Sequence, residues 1–475
     1  MTDIQEFLID GKWVSSKETL EVTNPYTREC VSRVALGTAE DAERAIHGAV
    51  KAFEHTRGLP VYERVDILEK VVKGLTENKE EIARIITIES GKPISYSTIE
   101  VDRCIFNITC AMEEAKRIGG EVIPMELKPW GAGRFALTQR FSIGSVLGIS
   151  PFNFPLNLSA HKVAPALATG NTLILKPPST CPGAALRLGR IVHEAGAAAG
   201  WVNIMPCRPA IGEVIIRDDR IKVVSFTGSP GVGYHIKAIS GKKRVILELG
   251  GNAGVIVHGD AHLQSAVDRI VTGGYGQAGQ SCIAVQRVYV QDTIYDDVLD
   301  RLIQATRKVR VGDPMDPDTL VGPMISEHEA VRVENWVSEA VQGGAKVMIG
   351  GQRDGAFYQP TILTNVRPEM KVSCLEVFAP VITVAPYKEF ETAVRQVGDS
   401  IFGLHAGIFT QDIGRVWHAF NNLEVGGVIV NDVPTFRQDH MPYGGVKESG
   451  IGREGARYAI EETTELKIMV INFQT

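Results

Sequence analysis

Cys282 stands in the stretch GGYGQAGQSCIAVQRV, among glycines, glutamines and a serine. Free cysteines are mostly buried and behave as small hydrophobes. A thiol in a polar, glycine-loosened turn is placed to react, with a packed loop cysteine as the plainer alternative. Its ordinary pKa near ~8.5 leaves only a few per cent thiolate at neutral pH, so reaction needs backbone N–H groups or a base nearby. RVILELGG (244–251) carries Glu248 inside an apolar run. A carboxylate in a buried strand is costly unless it is paired or functional, and desolvation lifts its pKa toward the range of a general base. At an exposed strand end it would be ordinary. SPFNFPLNL sets Asn153 between aromatic rings and prolines. A side-chain amide held in a rigid segment is either a good oxyanion donor or a turn residue.

Two further segments suit a phosphate-bearing ligand. SFTGSPGVG ends a strand and enters a helix, with Gly228, Ser229 and Gly233 at the turn. Glycines there let the backbone approach a pyrophosphate, and free N–H groups at a helix start favour anions. It departs from the GxGxxG fingerprint, so an ordinary strand-to-helix turn is the alternative. LILKPPST places Lys176 at a strand end, where ligands of open α/β sheets bind, to hold ribose hydroxyls or phosphate. A solvated loop lysine is the alternative.

These residues need elements to hold them. Short apolar runs, SVLGIS (145–150), TLILK (172–176), VNIMP (202–206), KVVSFTG (222–228) and RVILELGG (244–251), are spaced by helical segments. That alternation predicts a parallel sheet with helices on both faces. A second αβ series follows from about 252 to 450. GTAEDAERAIHGAVKAFE predicts a helix capped by Thr38 with Asp41 three later, and another helix covers roughly 60–90, stopping at Gly91. A helix over 261–272 is expected to be capped by Asp260. EVIPMEL and RFALTQRF read as two strands of a hairpin at 121–142, and TTELKIMVINF as a C-terminal strand.

The 475 residues suffice for two to four domains. Hydrophobic residues make 44% and charged residues 22%, the balance of a soluble globular protein. A net charge of −6 argues against nucleic acid or an anionic membrane as the main partner. No apolar run predicts a transmembrane helix, and MTDIQEFLIDGKW has no signal-peptide pattern. Seven scattered cysteines without CxxC or Cys/His spacing predict no structural metal and a reduced, cytoplasmic setting.

Asn153, Lys176, Gly228–Gly233, Glu248 and Cys282, followed by EVFAP and MPYGGVKESGIGREG, occur in one order that resembles the aldehyde dehydrogenase superfamily over nearly the whole chain. The resemblance implies an α/β fold with a Rossmann-like NAD(P)-binding domain (1–120 and 143–250), an α/β catalytic domain (251–450) and a β-hairpin oligomerisation element (121–142 and 451–475) that makes a homodimer or homotetramer. It implies that Cys282 attacks an aldehyde, that Asn153 and the Cys282 N–H hold the oxyanion, and that Glu248 activates the water that hydrolyses the thioester. Lys162 and Glu454 match positions that relay protons. Pro151, Phe152, Lys176, Ser229, Glu376 and Phe378 fall in the cofactor set, the last two in EVFAP, where the family usually has glycine instead of Ala379.

Ser179 stands where members specific for NAD often carry a glutamate, so repulsion of a 2′-phosphate is absent and NADP is expected to be accepted alongside NAD. Arg103, His161 and Arg437 fall in segments that line the aldehyde tunnel, a plausible anion clamp, with surface or structural roles as the alternative. Ser281 stands where some phosphate-binding relatives carry arginine. The pattern also resembles lactaldehyde, non-phosphorylating glyceraldehyde-3-phosphate and phosphonoacetaldehyde dehydrogenases. The expected reaction is therefore NAD(P)-dependent oxidation of a small polar or anionic aldehyde, of lactaldehyde, glyceraldehyde-3-phosphate or phosphono/sulfo-aldehyde type. A neutral or semialdehyde substrate such as succinate semialdehyde, a CoA-acylating reaction and a non-enzymatic scaffold role are the alternatives.

Overall fold

The computed structural model describes residues 4–473. The alternating strands and helices gather into two large sheets. The first has eight strands, and its five central ones, Ser145–Ile149, Thr172–Lys176, Val202–Ile204, Ile221–Thr227 and Arg244–Glu248, run parallel. Their middle residues are mostly apolar and buried because helices cover the sheet, and one core joins Val146, Leu173, Val223 and Leu247 to helix residues such as Ile46, Leu68 and Leu188. Ser145–Ile149 lies in the middle. Thr172–Lys176 and Val202–Ile204 extend to one side of it, Ile221–Thr227 and Arg244–Glu248 to the other. The winding reverses at this one place, so the loops after Ile149 and Thr227 diverge and leave a crevice beyond the strand ends. Those loops carry Asn153 and Gly228–Ser229.

The second sheet has seven strands, in the order Lys346–Ile349, Thr361–Thr364, Val381–Tyr387, Val285–Gln291, Ala253–Val257, His405–Phe409 and Gly427–Val430. Only the first pair is antiparallel. Cys282 precedes its central strand. The chain then returns to the first sheet: Gly450–Ile451 pairs antiparallel with Leu247 and Glu248, and helix Ala456–Glu462 contributes Ala456 and Ile460 to the first core. A third, three-stranded sheet pairs Thr464–Asn472 with Arg134–Ser142, and the latter with Val122–Ile123.

Local expectations fare differently, each for a physical reason. Thr38 and Asp41 form the reciprocal capping box of helix Ala39–Thr56. The single helix expected over 60–90 is two, Val61–Glu77 and Lys79–Ser90. Asn78 breaks it with φ −108° and ψ 15°, its amide donating to the Gly74 carbonyl, while the apolar stripe runs on through both helices. Gly91 ends the second with φ 71°. Asp260 caps nothing: the helix starts at Leu263 after His262, and the Asp260 carboxylate accepts instead from the Thr410 hydroxyl at 3.0 Å. EVIPMEL contributes only Val122–Ile123 to the expected hairpin.

Candidate active site

The loop before Cys282 is built from an unusual backbone. Gln277, Ala278 and Gly279 have φ of 56°, 55° and 65°, three successive left-handed residues of which only the glycine adopts the region freely. The loop is pinned in that shape. Gln277 donates its amide to the Asn153 carbonyl at 2.7 Å, and the Gln280 side-chain oxygen accepts from the Ile325 N–H at 2.9 Å. The Asn153 amide donates to the Gln280 carbonyl at 3.1 Å, which leaves its second N–H for another acceptor. The Cys282 N–H has no partner among the described residues. Two donors, one on each side of the crevice, are thus held beside the thiol.

A cavity of about 760 Å³ brings Cys282, Ser281, Asn153 and Glu248 together with Pro151, Phe152, Gly228, Ser229, Glu376, Phe378, Arg103 and Arg437. That is the size of a ligand site. Lys176, Ser179, Gly233, His161, Lys162 and Glu454 stand off its wall.

The carboxylates of the site differ sharply. Both Glu248 oxygens are buried without a hydrogen-bond partner. Burial, reinforced by the neighbouring Glu454, pushes the Glu248 carboxyl well above the usual glutamate range. Glu454 is buried as well, but Lys162, 3.1 Å away, and Arg437 hold it ionised. Lys162 also donates to the Thr227 hydroxyl at 2.8 Å. Environments that push paired groups apart are the mark of divided acid and base roles. Burial pushes the Cys282 thiol up to about 12, against the opposing effect of a hydrogen bond with Tyr443. The resting thiol therefore keeps its proton and needs a base to lose it.

Of the three groups expected as an anion clamp, two are engaged elsewhere. Arg103 grips Asp439 with two bonds of 2.9 and 3.0 Å, and His161 Nε2 lies 3.0 Å from the same carboxylate. Burial and Arg437 lower the His161 pKa, so its ring is neutral at pH 7. Arg437 is different. Its side chain is 7% exposed, its Nη2 approaches His161 and Glu454, and its Nε is buried with no partner. Asp439 is thus the internal anion that occupies Arg103 and His161, and only the fold brings it to them from the far end of the sequence.

The outer part of the cavity fits a dinucleotide. Gly228 and Ser229 lead into helix Pro230–Ile239, and a side chain added at Gly231 would meet nothing within 4 Å. Gly233 serves packing instead: a Cβ there would come within 2.4 Å of Leu249. The Phe152 and Phe378 rings meet edge to face at 5.9 Å. Glu376 accepts from the Gly251 N–H at 2.8 Å, and its second oxygen has no hydrogen-bond donor among the described residues. An acceptor so placed suits a ribose hydroxyl. Lys176 ends its strand half-buried, its stem beside Gly212. Among the described residues no group of three His, Cys, Asp or Glu is arranged to hold a metal ion.

Tyr443, Gln277 and Gln280 shape this site without having been assigned a role from the sequence. All three lie inside quoted segments, GGYGQAGQSCIAVQRV and MPYGGVKESGIGREG, yet nothing there marks the glutamine amides as pinning the loop or the Tyr443 hydroxyl as facing sulfur.

Comparison with known proteins agrees with this geometry. Residues 13–469 match the aldehyde dehydrogenase family. A 3-sulfolactaldehyde dehydrogenase of Priestia megaterium is 44% identical over 475 residues, 99% of each chain. The structure of aldehyde dehydrogenase 21 from Physcomitrella patens in complex with the reaction product succinate superposes with a TM-score of 0.98 at 42% identity, covering 100% of this chain and 99% of that one. Glyceraldehyde-3-phosphate dehydrogenase of Methanocaldococcus jannaschii, complexed with NADP, gives 0.93 at 39% identity, covering 96% and 100%.

Proposed function

The chain belongs to the aldehyde dehydrogenase family, an NAD(P)-dependent enzyme of that family, and we propose that its substrate is a small aldehyde carrying an anionic group, oxidised to the carboxylic acid. The observation that carries this reading is Arg437, a buried guanidinium with an unpartnered Nε on the wall of the cavity that holds Cys282. Arg437 already faces Glu454 through Nη2 at 3.5 Å, but its buried Nε donor has no acceptor, a cost that an anionic substrate group would relieve, which favours charged over neutral substrates. The 3-sulfolactaldehyde relative supports a sulfonate at that place. A carboxylate, as in succinate semialdehyde, is the second reading, supported by the succinate complex of the Physcomitrella enzyme. The test is NAD(P)H production from sulfolactaldehyde, succinate semialdehyde and uncharged lactaldehyde. The charged aldehydes are expected to lead in kcat/KM by about tenfold or more, and Arg437→Gln to remove that lead. Equal values for all three in the native enzyme would refute the anion reading.

The roles follow from the geometry. Glu248 takes the thiol proton, and the Cys282 sulfur adds to the aldehyde carbon. The new oxyanion lies between the free Asn153 N–H and the Cys282 N–H, donors fixed before the charge develops. The bound cofactor supplies the acceptor for the hydride that leaves this carbon. Glu248 then removes a proton from the water that cleaves the resulting thioester, returning Cys282 and releasing acid. Lys162 and Glu454 offer a route by which the proton leaves Glu248. A buried carboxylate on the cavity that holds the thiol supports hydrolysis over transfer to CoA, and gives a scaffold role nothing to explain.

Ser179 is exposed beyond the Lys176 strand and carries no charge against a 2′-phosphate, which supports use of NADP as well as NAD. We assign cofactor binding to 1–120 and 143–250, catalysis to 251–450 and self-association to 121–142 and to the strand Thr464–Asn472, with a dimer or tetramer as the working form. The intervening 451–463 of the expected 451–475 element packs with the first sheet instead. Seven free cysteines suit a reducing cytoplasm. No helix of the described residues is long and apolar enough to cross a membrane.

A further inference from the structure

Among the described residues the Cys282 sulfur has one side-chain hydrogen-bond partner, the Tyr443 hydroxyl, 2.9 Å away. While both groups keep their protons, either donates. Once the sulfur is ionised, only the phenol can.

Tyr443 is held for this task from four sides. Its backbone N–H donates to the Glu454 carbonyl at 3.0 Å and its carbonyl accepts from the Glu454 N–H at 2.7 Å. Its ring packs with Ile283 and Leu404, in a small cluster that also touches Cys282. His405 meets the ring edge to face at 5.2 Å. The Arg437 guanidinium lies 3.5 Å from the ring centre on its face. A cation over the ring draws electron density from the phenol and makes it a better donor. The residue is 3% exposed, so water does not compete for the bond.

We propose that the Tyr443 hydroxyl is a catalytic donor to the nucleophile: it hydrogen-bonds the Cys282 sulfur when the thiolate forms, and again when that thiolate leaves the thioester. The proton balance is simple. The thiol proton goes to Glu248, the S–C bond forms, and later the S–C bond breaks as water adds. Tyr443 keeps its own proton throughout and lends only the hydrogen bond. The proposal rests on the reading of Cys282 as nucleophile.

The test replaces Tyr443 by phenylalanine, which keeps the ring, the Arg437 stack and the His405 contact. The charged groups that act on the Cys282 sulfur, Glu376, Arg437 and Glu248, stay in place. The readout is alkylation of the apoenzyme by iodoacetamide across pH, with the modified peptide identified by mass. Losing a hydrogen bond to a charged group corresponds to roughly ten- to hundredfold less thiolate. The more basic thiolate is also more nucleophilic, which returns about half of that on a logarithmic scale. Alkylation of Cys282 in Tyr443→Phe is therefore expected to slow about three- to tenfold at every pH where the folded enzyme keeps this thiol mostly protonated, and kcat/KM to fall. NADPH affinity and melting temperature should stay near those of the native protein, which certifies the fold. An unchanged or faster alkylation of Cys282 overturns the proposal while leaving the nucleophile in place. If alkylating Cys282 in the native enzyme leaves activity intact, both readings fall.

Discussion

Glu376 hydrogen-bonds the Gly251 N–H with one oxygen, and burial lifts its carboxyl to about 7. A ribose hydroxyl donates to the ionised form, so the bound cofactor favours loss of that proton. NADP binding should therefore tighten with rising pH, by up to about tenfold between about pH 6 and about pH 8, and level off above. Fluorescence titration with NADPH at several pH values checks it, and Glu376→Gln should bind more weakly with a flat profile. The sign for folding is opposite. The folded apoprotein holds this proton more tightly than the unfolded chain, so this group's contribution to stability falls as pH rises from the ordinary glutamate range to about 7. At the same scale, Glu248 and Glu454 divide their work through their neighbours. One lies buried without partners; the other has Lys162 at 3.1 Å.

The nucleophile loop depends on Gly279, both for its φ of 65° and for space, since a Cβ there would lie 2.2 Å from the Ala379 carbonyl oxygen. Gly279→Ala should displace Cys282, together with its own backbone N–H, from its place beside Asn153 and Tyr443. We expect kcat to drop about tenfold or more, with a loss of about 1–3 kcal/mol in stability, read from steady-state rates and a melting curve. The glycine was legible as a loosened turn; the left-handed Gln277 and Ala278 before it were not, because neither residue type favours that region. The same limit separates Thr38, whose cap is local and readable, from Asp260, whose partner Thr410 arrives through the fold. Cys282, Glu248 and Asn153 were legible because each is chemically out of place in its own segment. Tyr443 and Asp439 were not, since their meaning comes from residues far away in sequence: Cys282 for one, Arg103 and His161 for the other.

At the scale of the molecule, strand Thr464–Asn472 stands clear of the body. Leu466, Ile468 and Val470 alternate along one face at 57%, 54% and 47% exposure, and Met469 and Ile471 lie exposed on the other. Apolar faces of this kind, on a strand at the outer edge of its sheet among the described residues, call for cover. A second copy of the chain is the cover we assign. Charging one face with Ile468→Glu and Val470→Glu should shift sedimentation from the dimer or tetramer to the monomer; unchanged sedimentation would send the search for the interface elsewhere. The return of Gly450–Ile451 to the edge of strand Arg244–Glu248 has a consequence for the order in which the protein is made. During synthesis the strand bearing Glu248 leaves the ribosome about two hundred residues before the segment that closes its edge. Over that stretch of synthesis the edge of the first sheet is thus an open template for other chains. Glu248, the proposed general base, reaches its final setting only after Gly450–Ile451 has been made, so the first sheet and its proposed chemistry are completed by a segment that follows the whole second sheet in the chain.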